Sequence, residues 1–295
     1  LEEDADLPFL LRIFDPEELV LEDGPAPETG NLLAGERELR RLTIPEVEDS
    51  RLDFLSSIPK LEELFLGGWD PEELGPLPDS ISKLKSLLLG FTEVGNLEAL
   101  GRQPDLEELM FFGCGEDEGS GRLDISGIAD FPKLELVAFR ACEVEDLSFL
   151  AELDRLQWLA LPSDLTQSQF AAVVSDLPDL VFLEALESEE ITDLSPLAGL
   201  PRLKGLMVED DAPLDPLFEL DQLEYLAVMS GGSDSTFVSE VLEPLQAELP
   251  TTVIGRVEPF CLGSGYILLL IPMVGLAALV VRRRRRTPIP TTKNG

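Results

Sequence analysis

The chain repeats a short apolar pattern in which the first, fourth and sixth positions of a segment are leucine or another apolar residue. Typical copies are Leu61-Glu-Glu-Leu64-Phe-Leu66 and Leu156-Gln-Trp-Leu159-Ala-Leu161. The pattern begins at Leu39, Leu61, Leu84, Leu106, Leu134, Leu156, Leu180, Leu203 and Leu223, at intervals of 20 to 28 residues. Because apolar and polar residues alternate within each copy, the pattern predicts one short strand per copy, buried on one side.

The two ends of the repeat region carry weaker copies. One begins at Pro16, 23 residues before Leu39, and a closing copy is predicted to begin at Pro250 and to place Val253 at its fourth position. One such unit cannot bury its leucines alone, so the units are expected to stack into a parallel sheet over a continuous core. The segments between strands contain Pro, Asp-Leu-Ser and Gly-Leu-Pro, which predict short 3₁₀ or helical turns.

The spacing and the Leu-x-x-Leu-x-Leu motif resemble the leucine-rich-repeat family over residues 16–255. The segments 144–153 and 191–200 are similar to the short-repeat subclass found in bacterial internalins and in phosphatase-regulating solenoids. The resemblance implies an α/β fold, a leucine-rich-repeat solenoid with a parallel concave sheet of nine or ten strands. Residues 1–15 would form an N-terminal cap or flank. The Asn that the family usually has at the ninth position is missing.

Two of those ninth positions are cysteines. In the implied repeat, Cys114 and Cys142 lie one above the other in adjacent coils, with α-carbons about 4.8 Å apart. That separation permits a disulfide in an oxidising compartment. Two reduced thiols that fill a buried slot are an equally simple interpretation.

The C-terminal region predicts a membrane segment. Residues 261–281 are uncharged, and as a helix they would span about 31 Å, close to the thickness of a bilayer core. They follow a linker at 256–260 and precede five arginines, Arg282, Arg283, Arg284, Arg285 and Arg286. By the positive-inside rule, the basic tail 282–295 is cytoplasmic and the repeats are outside. This end also resembles the sorting signals of some bacteria and archaea, which are cleaved, so both outcomes are open.

The charge of the chain is strongly negative. It has 22 basic and 58 acidic residues, a net charge of −36, and residues 1–260 alone carry −42. Such a surface repels nucleic acid and favours basic partners, bound cations or a salty medium. There is no histidine, which excludes His-dependent triads and the commonest metal ligand. The acidic runs 116–118, 187–190 and 209–211 suggest calcium only weakly, since none has the spacing of a known calcium loop. No cofactor is expected.

Alternation along a strand places the third, fifth and seventh positions of each copy on the predicted concave face. Many are large and apolar, which is typical of an interaction site. The candidate binding residues are Phe65, Leu88, Met110, Phe112, Leu136, Trp158, Phe182, Met207 and Tyr225. Leu136, Trp158 and Phe182 are expected to form a central exposed ridge. The alternative is that these side chains lean inward or are covered by loops.

These patterns predict a membrane-anchored, extracytoplasmic module that binds a protein or peptide partner on its concave face, with no catalytic site. A structural cell-surface scaffold or spacer without a specific ligand is the alternative. An apolar concave face favours the binding module, whereas a uniformly polar one favours the scaffold.

Overall fold

The computed structural model describes residues 16–21, 33, 38–47, 52–79, 81, 83–114, 122–186, 190–209, 214–229 and 241–257. Within them, eleven strands form one sheet in sequential order, and every neighbouring pair is parallel. The strands are β1 Glu18–Val20, β2 Arg41–Ile44, β3 Glu63–Gly67, β4 Ser86–Gly90, β5 Glu108–Phe112, β6 Leu136–Arg140, β7 Trp158–Ala160, β8 Phe182–Ala185, β9 Gly205–Glu209, β10 Tyr225–Met229 and β11 Val253–Val257.

The register confirms the repeat. Each strand pairs equivalent positions, so the fourth-position residues follow one another in a column across the sheet: Leu19, Leu42, Leu64, Leu87, Leu109, Val137, Leu159, Leu183, Leu206 and Leu226. These side chains are buried, as are the first and sixth positions on either side. The predicted leucine-rich-repeat solenoid with a parallel sheet is therefore what the chain forms. It has eleven strands instead of nine or ten because both weak end copies join the sheet.

The closing copy begins one residue later than the sequence suggested. Ile254, and not Val253, pairs with Leu226, while Val253 pairs with Tyr225 and is 63% exposed. Thr252 determines this register, because its buried hydroxyl donates a 2.8 Å hydrogen bond to the Leu223 carbonyl oxygen. The predicted placement of Val253 at a core position is therefore wrong.

In the described ranges, short 3₁₀ segments and three helices return the chain from one strand to the next. The 3₁₀ segments are Asp53–Ser57, Leu97–Leu100, Ile128–Asp130, Leu147–Glu152, Ser195–Gly199 and Asp215–Glu219, and the helices are α1 Pro71–Leu74, α2 Gln167–Asp176 and α3 Glu243–Glu248. Helix α2 begins with a capping box in which Thr166 and Gln169 satisfy each other's backbone N–H groups. Its Phe170, Val173 and Val174 extend the core.

Side-chain caps order several of the 3₁₀ segments. Asn96, Asp146 and Asp193 each accept a hydrogen bond from the backbone N–H two residues later, at 2.8 to 3.0 Å. The same bonds, with a further contribution from the hydroxyl of Ser148 or Ser195, hold the pKa of Asp146 and of Asp193 below the ordinary value. The Asp-Leu-Ser motif thus supplies a cap for the turn that follows it.

None of the described residues belongs to a helix long and apolar enough to cross a membrane. The predicted membrane segment 261–281 and the arginines 282–286 lie outside the described residues. The anchor therefore remains a prediction from the sequence.

Candidate binding face

The side of the sheet opposite the leucine core is called here the outer face. All nine candidate binding residues lie on the outer face, because each occupies the third, fifth or seventh position of its repeat copy. The third-position row shows how its chemistry changes across the sheet: Arg41, Glu63, Ser86, Glu108, Leu136, Trp158, Phe182, Gly205, Tyr225 and Val253. The row is polar up to β5 and mainly apolar from β6 onward.

The nine candidates differ widely in exposure. Met110, Leu136, Trp158 and Met207 are buried, Phe65, Leu88, Phe112 and Phe182 are half-buried, and Tyr225 is 45% exposed. The sequence thus predicted the side of the sheet on which they lie, but the degree of exposure differs along it. Two regions can be separated: β3 to β5, called the open half, where Met110 is the one buried candidate, and β6 to β9, called the closed half, where Phe182 is the one half-buried candidate.

In the closed half, the aromatic side chains pack against the sheet and against each other. Leu136, Trp158 and Phe182 are neighbours in register, and the Trp158 and Phe182 rings meet edge to face with centroids 5.1 Å apart. The Phe182 ring lies over Gly205, where an added β-carbon would come within 2.2 Å of it. The row is therefore present as predicted, but Trp158 is only 9% exposed, so the expected solvent-exposed ridge is wrong at its centre.

An ion pair that sequence analysis did not identify also lies in the closed half. Arg140 Nη2 on β6 donates to Glu184 Oε2 on β8 at 2.6 Å, across the intervening strand β7. Position 5 of β7 is Ala160, and its small side chain leaves room for this contact. The Glu184 side chain is 3% exposed. The pair could not be read from sequence because its partners are 44 residues apart and in different rows.

Arg140 and Trp158 carry further buried donors. Arg140 Nε and Trp158 Nε1 have no hydrogen-bond partner within the described part of the chain. Because neither N–H group is accessible to solvent, neither can donate a hydrogen bond to a ligand unless the neighbouring side chains move. The closed half is therefore a packed surface more than a ready pocket.

The open half is built around Gly90. The Phe65 ring lies 3.2 Å from the place a Gly90 β-carbon would take, and Phe112 is the register neighbour of Gly90 on the other side. Phe91 follows directly, 46% exposed, and meets Phe112 edge to face with centroids 5.3 Å apart. We call Phe65, Phe91 and Phe112 the aromatic cluster. The lack of a side chain at Gly90 lets the Phe65 ring of β3 lie over the β4 backbone.

Phe91 is a residue that the sequence analysis missed. It occupies the eighth position of its copy, where alternation no longer indicates a side, and its backbone is left-handed with φ of 51°. The eighth positions in the preceding and following coils are Gly68 and Gly113, with φ of 64° and 66°. A phenylalanine at a position that its neighbours fill with glycine was the available signal.

A disulfide joins Cys114 and Cys142, whose α-carbons are 4.7 Å apart. It connects the chain just after β5 with the chain just after β6, at the border between the two halves. Arg122, the next described residue after Cys114, forms ion pairs with Glu143 at 3.3 Å and Asp164 at 2.5 Å. The described chain on both sides of residues 115–121 is thus attached to the following coils.

Ion pairs between coils involve most of the described bases. At the beginning of the strands these are Arg41–Glu18, Arg40–Glu62, Lys60–Glu38, Lys133–Asp105, Arg155–Glu135, Arg202–Asp179 and Lys204–Glu224. Lys60 also holds the pKa of Glu38 below its ordinary value, through a hydrogen bond to its carboxylate. Surface pairs of this kind stabilise a protein little. Their consequence is that few described cations are left to offset the acidic surface.

The structure leaves the weak calcium prediction untested. Residues 116–118, 187–189 and 210–211 lie outside the described part of the chain. In the described ranges, no three acidic or cysteine side chains are grouped as a metal site.

No family model and no curated protein matches this chain. Solved structures do match. An internalin (inlF) from Listeria monocytogenes is 19% identical, with a TM-score of 0.47, over 81% of this chain and 67% of that one. An internalin C2 (inlC2) from the same species is 20% identical, with a TM-score of 0.43, over 69% of this chain and 84% of that one. A resemblance of this extent concerns the repeat architecture and not a partner.

Proposed function

We propose that this protein is a surface recognition module that binds a protein or peptide partner on its outer, predicted concave face. In this proposal residues 261–281 hold it in a membrane, with the repeats outside and residues 282–295 in the cytoplasm. The observation that carries the proposal is the apolar content of the outer face. Phe65, Leu88, Phe112, Phe182 and Tyr225 retain exposed area there.

Large apolar side chains on a sheet face are favourable for binding because their burial by a partner removes apolar surface from water, a change that near room temperature is driven by a gain in entropy. Partly exposed aromatic residues are also the type in which binding energy tends to concentrate. A spacer or scaffold without a ligand would be expected to show a polar face, as the third-position row does only from Glu18 on β1 to Glu108 on β5. The apolar remainder supports a binding module over a scaffold.

The disulfide supports a location outside the cytoplasm. Disulfides persist in oxidising compartments and are rare where thiol reductants are abundant. The Cys114–Cys142 bond agrees with the orientation that the arginines 282–286 predict for the repeats. Neither observation identifies the membrane.

The binding proposal is tested with the immobilised full chain in detergent micelles, by chemical cross-linking to proteins from its source. Tyr225→Glu and Leu88→Glu place a charge on the outer face, whereas Ala151→Glu places the same charge on the exposed side of a 3₁₀ segment. A cross-linked partner should be lost with the first two variants and kept with the third. A partner kept by all three would bind elsewhere and contradict the proposal.

The anchor is tested by comparing the full chain with a deletion of residues 261–286 in a detergent phase separation. The full chain should enter the detergent phase, and the deleted form should stay in the aqueous phase. Equal partitioning of the two forms would contradict the anchor without affecting the binding proposal.

A further inference from the structure

The aromatic cluster has a feature that packing of the repeat does not require. Phe91 occupies the left-handed eighth position of its coil, where the neighbouring coils have Gly68 and Gly113. A residue with a β-carbon is sterically strained in this conformation. Burial of the ring in the core does not offset the strain, since Phe91 is 46% exposed. Strained residues of this kind concentrate at functional positions.

The Phe91 ring packs against a neighbouring ring. Its edge-to-face contact with Phe112, at 5.3 Å and 87°, places one ring against the other. Phe112 in turn neighbours Gly90, over which Phe65 packs. An exposed aromatic ring presents a π surface to solvent, and a cation is attracted to such a surface.

The charges around the cluster favour a cation. Glu93, two residues after Phe91, is exposed, and Asp70 occupies the equivalent position in the preceding coil. Arg122 and Arg140, from the two following coils, are both paired with carboxylates. Arg122 contacts Glu143 and Asp164, and Arg140 contacts Glu184. Acidic side chains thus follow Phe91 and the equivalent position of the preceding coil, in a chain whose net charge is −36.

We propose that the aromatic cluster receives a lysine or arginine side chain of the partner, which lies against the exposed ring of Phe91 while the nearby carboxylates attract its charge. This rests on the proposed function and adds the chemistry of the partner: a basic segment that crosses the end of strands β3 to β5. The contact combines a cation–π interaction with long-range electrostatic attraction. The ring fixes where the basic side chain binds, and the carboxylates raise the association rate.

The test uses a defined probe, a decapeptide of alternating glycine and arginine, and a control peptide in which neutral citrulline replaces each arginine. Each is titrated against the full chain in detergent micelles, with the phenylalanine rings isotopically labelled and observed by NMR. The Phe91 signal is identified by its loss in Phe91→Gly. We expect saturable shifts of the Phe91 and Phe112 signals with the arginine peptide and none with the citrulline peptide.

Three variants separate the ring from the general acidity of the chain. Phe91→Leu keeps an apolar side chain without a π face, and Phe91→Gly removes the side chain. Ala141→Gly relieves the same left-handed strain in another coil, where φ is 50°, without removing a ring. Both Phe91 variants should weaken arginine-peptide binding by about two- to fivefold, and Ala141→Gly should not change it.

Salt makes the comparison sharper. At about 1 M NaCl attraction between exposed charges is screened, so overall affinity falls, but the ratio between the wild type and Phe91→Leu should remain. Equal affinity of the wild type and Phe91→Leu, or equal shifts with both peptides, would overturn this inference. Because the probe peptide is not the natural partner, that result would not contradict the proposed function. The proposed function fails only if the cross-linking experiment fails.

Discussion

The open and closed halves of the outer face use the same repeat positions but expose very different surfaces. On β3 to β5, Phe65 and Phe112 stand beside Gly90 and remain half-buried, with Phe91 exposed at the edge. On β6 to β9, Trp158 is packed against Phe182 and covered, and an ion pair from Arg140 to Glu184 crosses the strand between its partners. A repeat position thus determines the side of the sheet, whereas the size and charge of neighbours determine what reaches solvent.

The difference separates binding from stability. In the closed half, replacing an aromatic residue should lower the stability of the fold, so that any effect on binding is obscured. In the open half, the effects on stability and on binding should be separable. The four predictions that follow test this division, in order of decreasing effect.

Trp158→Ala should lower the free energy of unfolding by about 3–4 kcal/mol, because it removes a buried aromatic side chain and leaves a cavity beside Phe182. The matched variant in the open half, Phe91→Gly, should change it by less than about 1 kcal/mol, since glycine suits the left-handed backbone there. Denaturant unfolding of both variants measures this. Similar losses for the two would abolish the division into halves.

Replacing Cys114 and Cys142 by alanine should lower the free energy of unfolding by about 3 kcal/mol, because the bond closes a loop of 28 residues in the unfolded chain. A reductant should destabilise the wild type by a similar amount and leave the double variant unchanged. If reduction has no effect on unfolding of the wild type, the bond does not contribute to stability at the border between the halves.

Arg140→Met should lower the free energy of unfolding by about 2 kcal/mol, because it leaves the Glu184 carboxylate buried without its guanidinium partner. That figure is below the usual cost for a buried pair since the Arg140 side chain is 22% exposed. Arg140→Met combined with Glu184→Leu should recover most of the loss. If the double variant is as unstable as the sum of the two single variants, the two residues are not coupled.

Acid should loosen the Asp146 and Asp193 caps behind the closed half, whereas the Asn96 cap behind the open half should not respond to pH. The pKa of Asp146 and of Asp193 is lowered by folding, so these caps contribute stability above about pH 4, and the contribution is lost as pH falls through the lower folded-state values. Asn96, the equivalent cap behind β4, does not titrate. Hydrogen exchange at the Ser148 and Ser195 amides should accelerate in acid relative to exchange at Glu98. Parallel acceleration at all three would argue against titration of the caps.

The sequence predicted the side of the sheet because that depends only on alternation, and neighbouring copies repeat it. Alternation could not predict Phe91, since the eighth position lies in a left-handed turn where alternation stops, and the glycines at the same position of the neighbouring copies were the signal that remained. It also misjudged Trp158, since its burial depends on a ring that comes 24 residues later, at Phe182. The sequence could not predict the Arg140–Glu184 pair either, because the pair joins two different rows across strand β7, where Ala160 leaves room for it.

What the sequence alone determined is the repeat: its period, its parallel register and the inward face of leucines, because each copy must bury the same positions against its neighbours. The net charge and the apolar C-terminal segment are likewise properties of the sequence. The proposed membrane anchor depends on them and not on the fold of the repeats. The tertiary structure decided which outer side chains are open, which residues carry ion pairs between coils, and where the final strand begins. These depend on distances between side chains of different coils, where a glycine, an alanine or a threonine hydroxyl changes the packing while the repeat pattern stays the same.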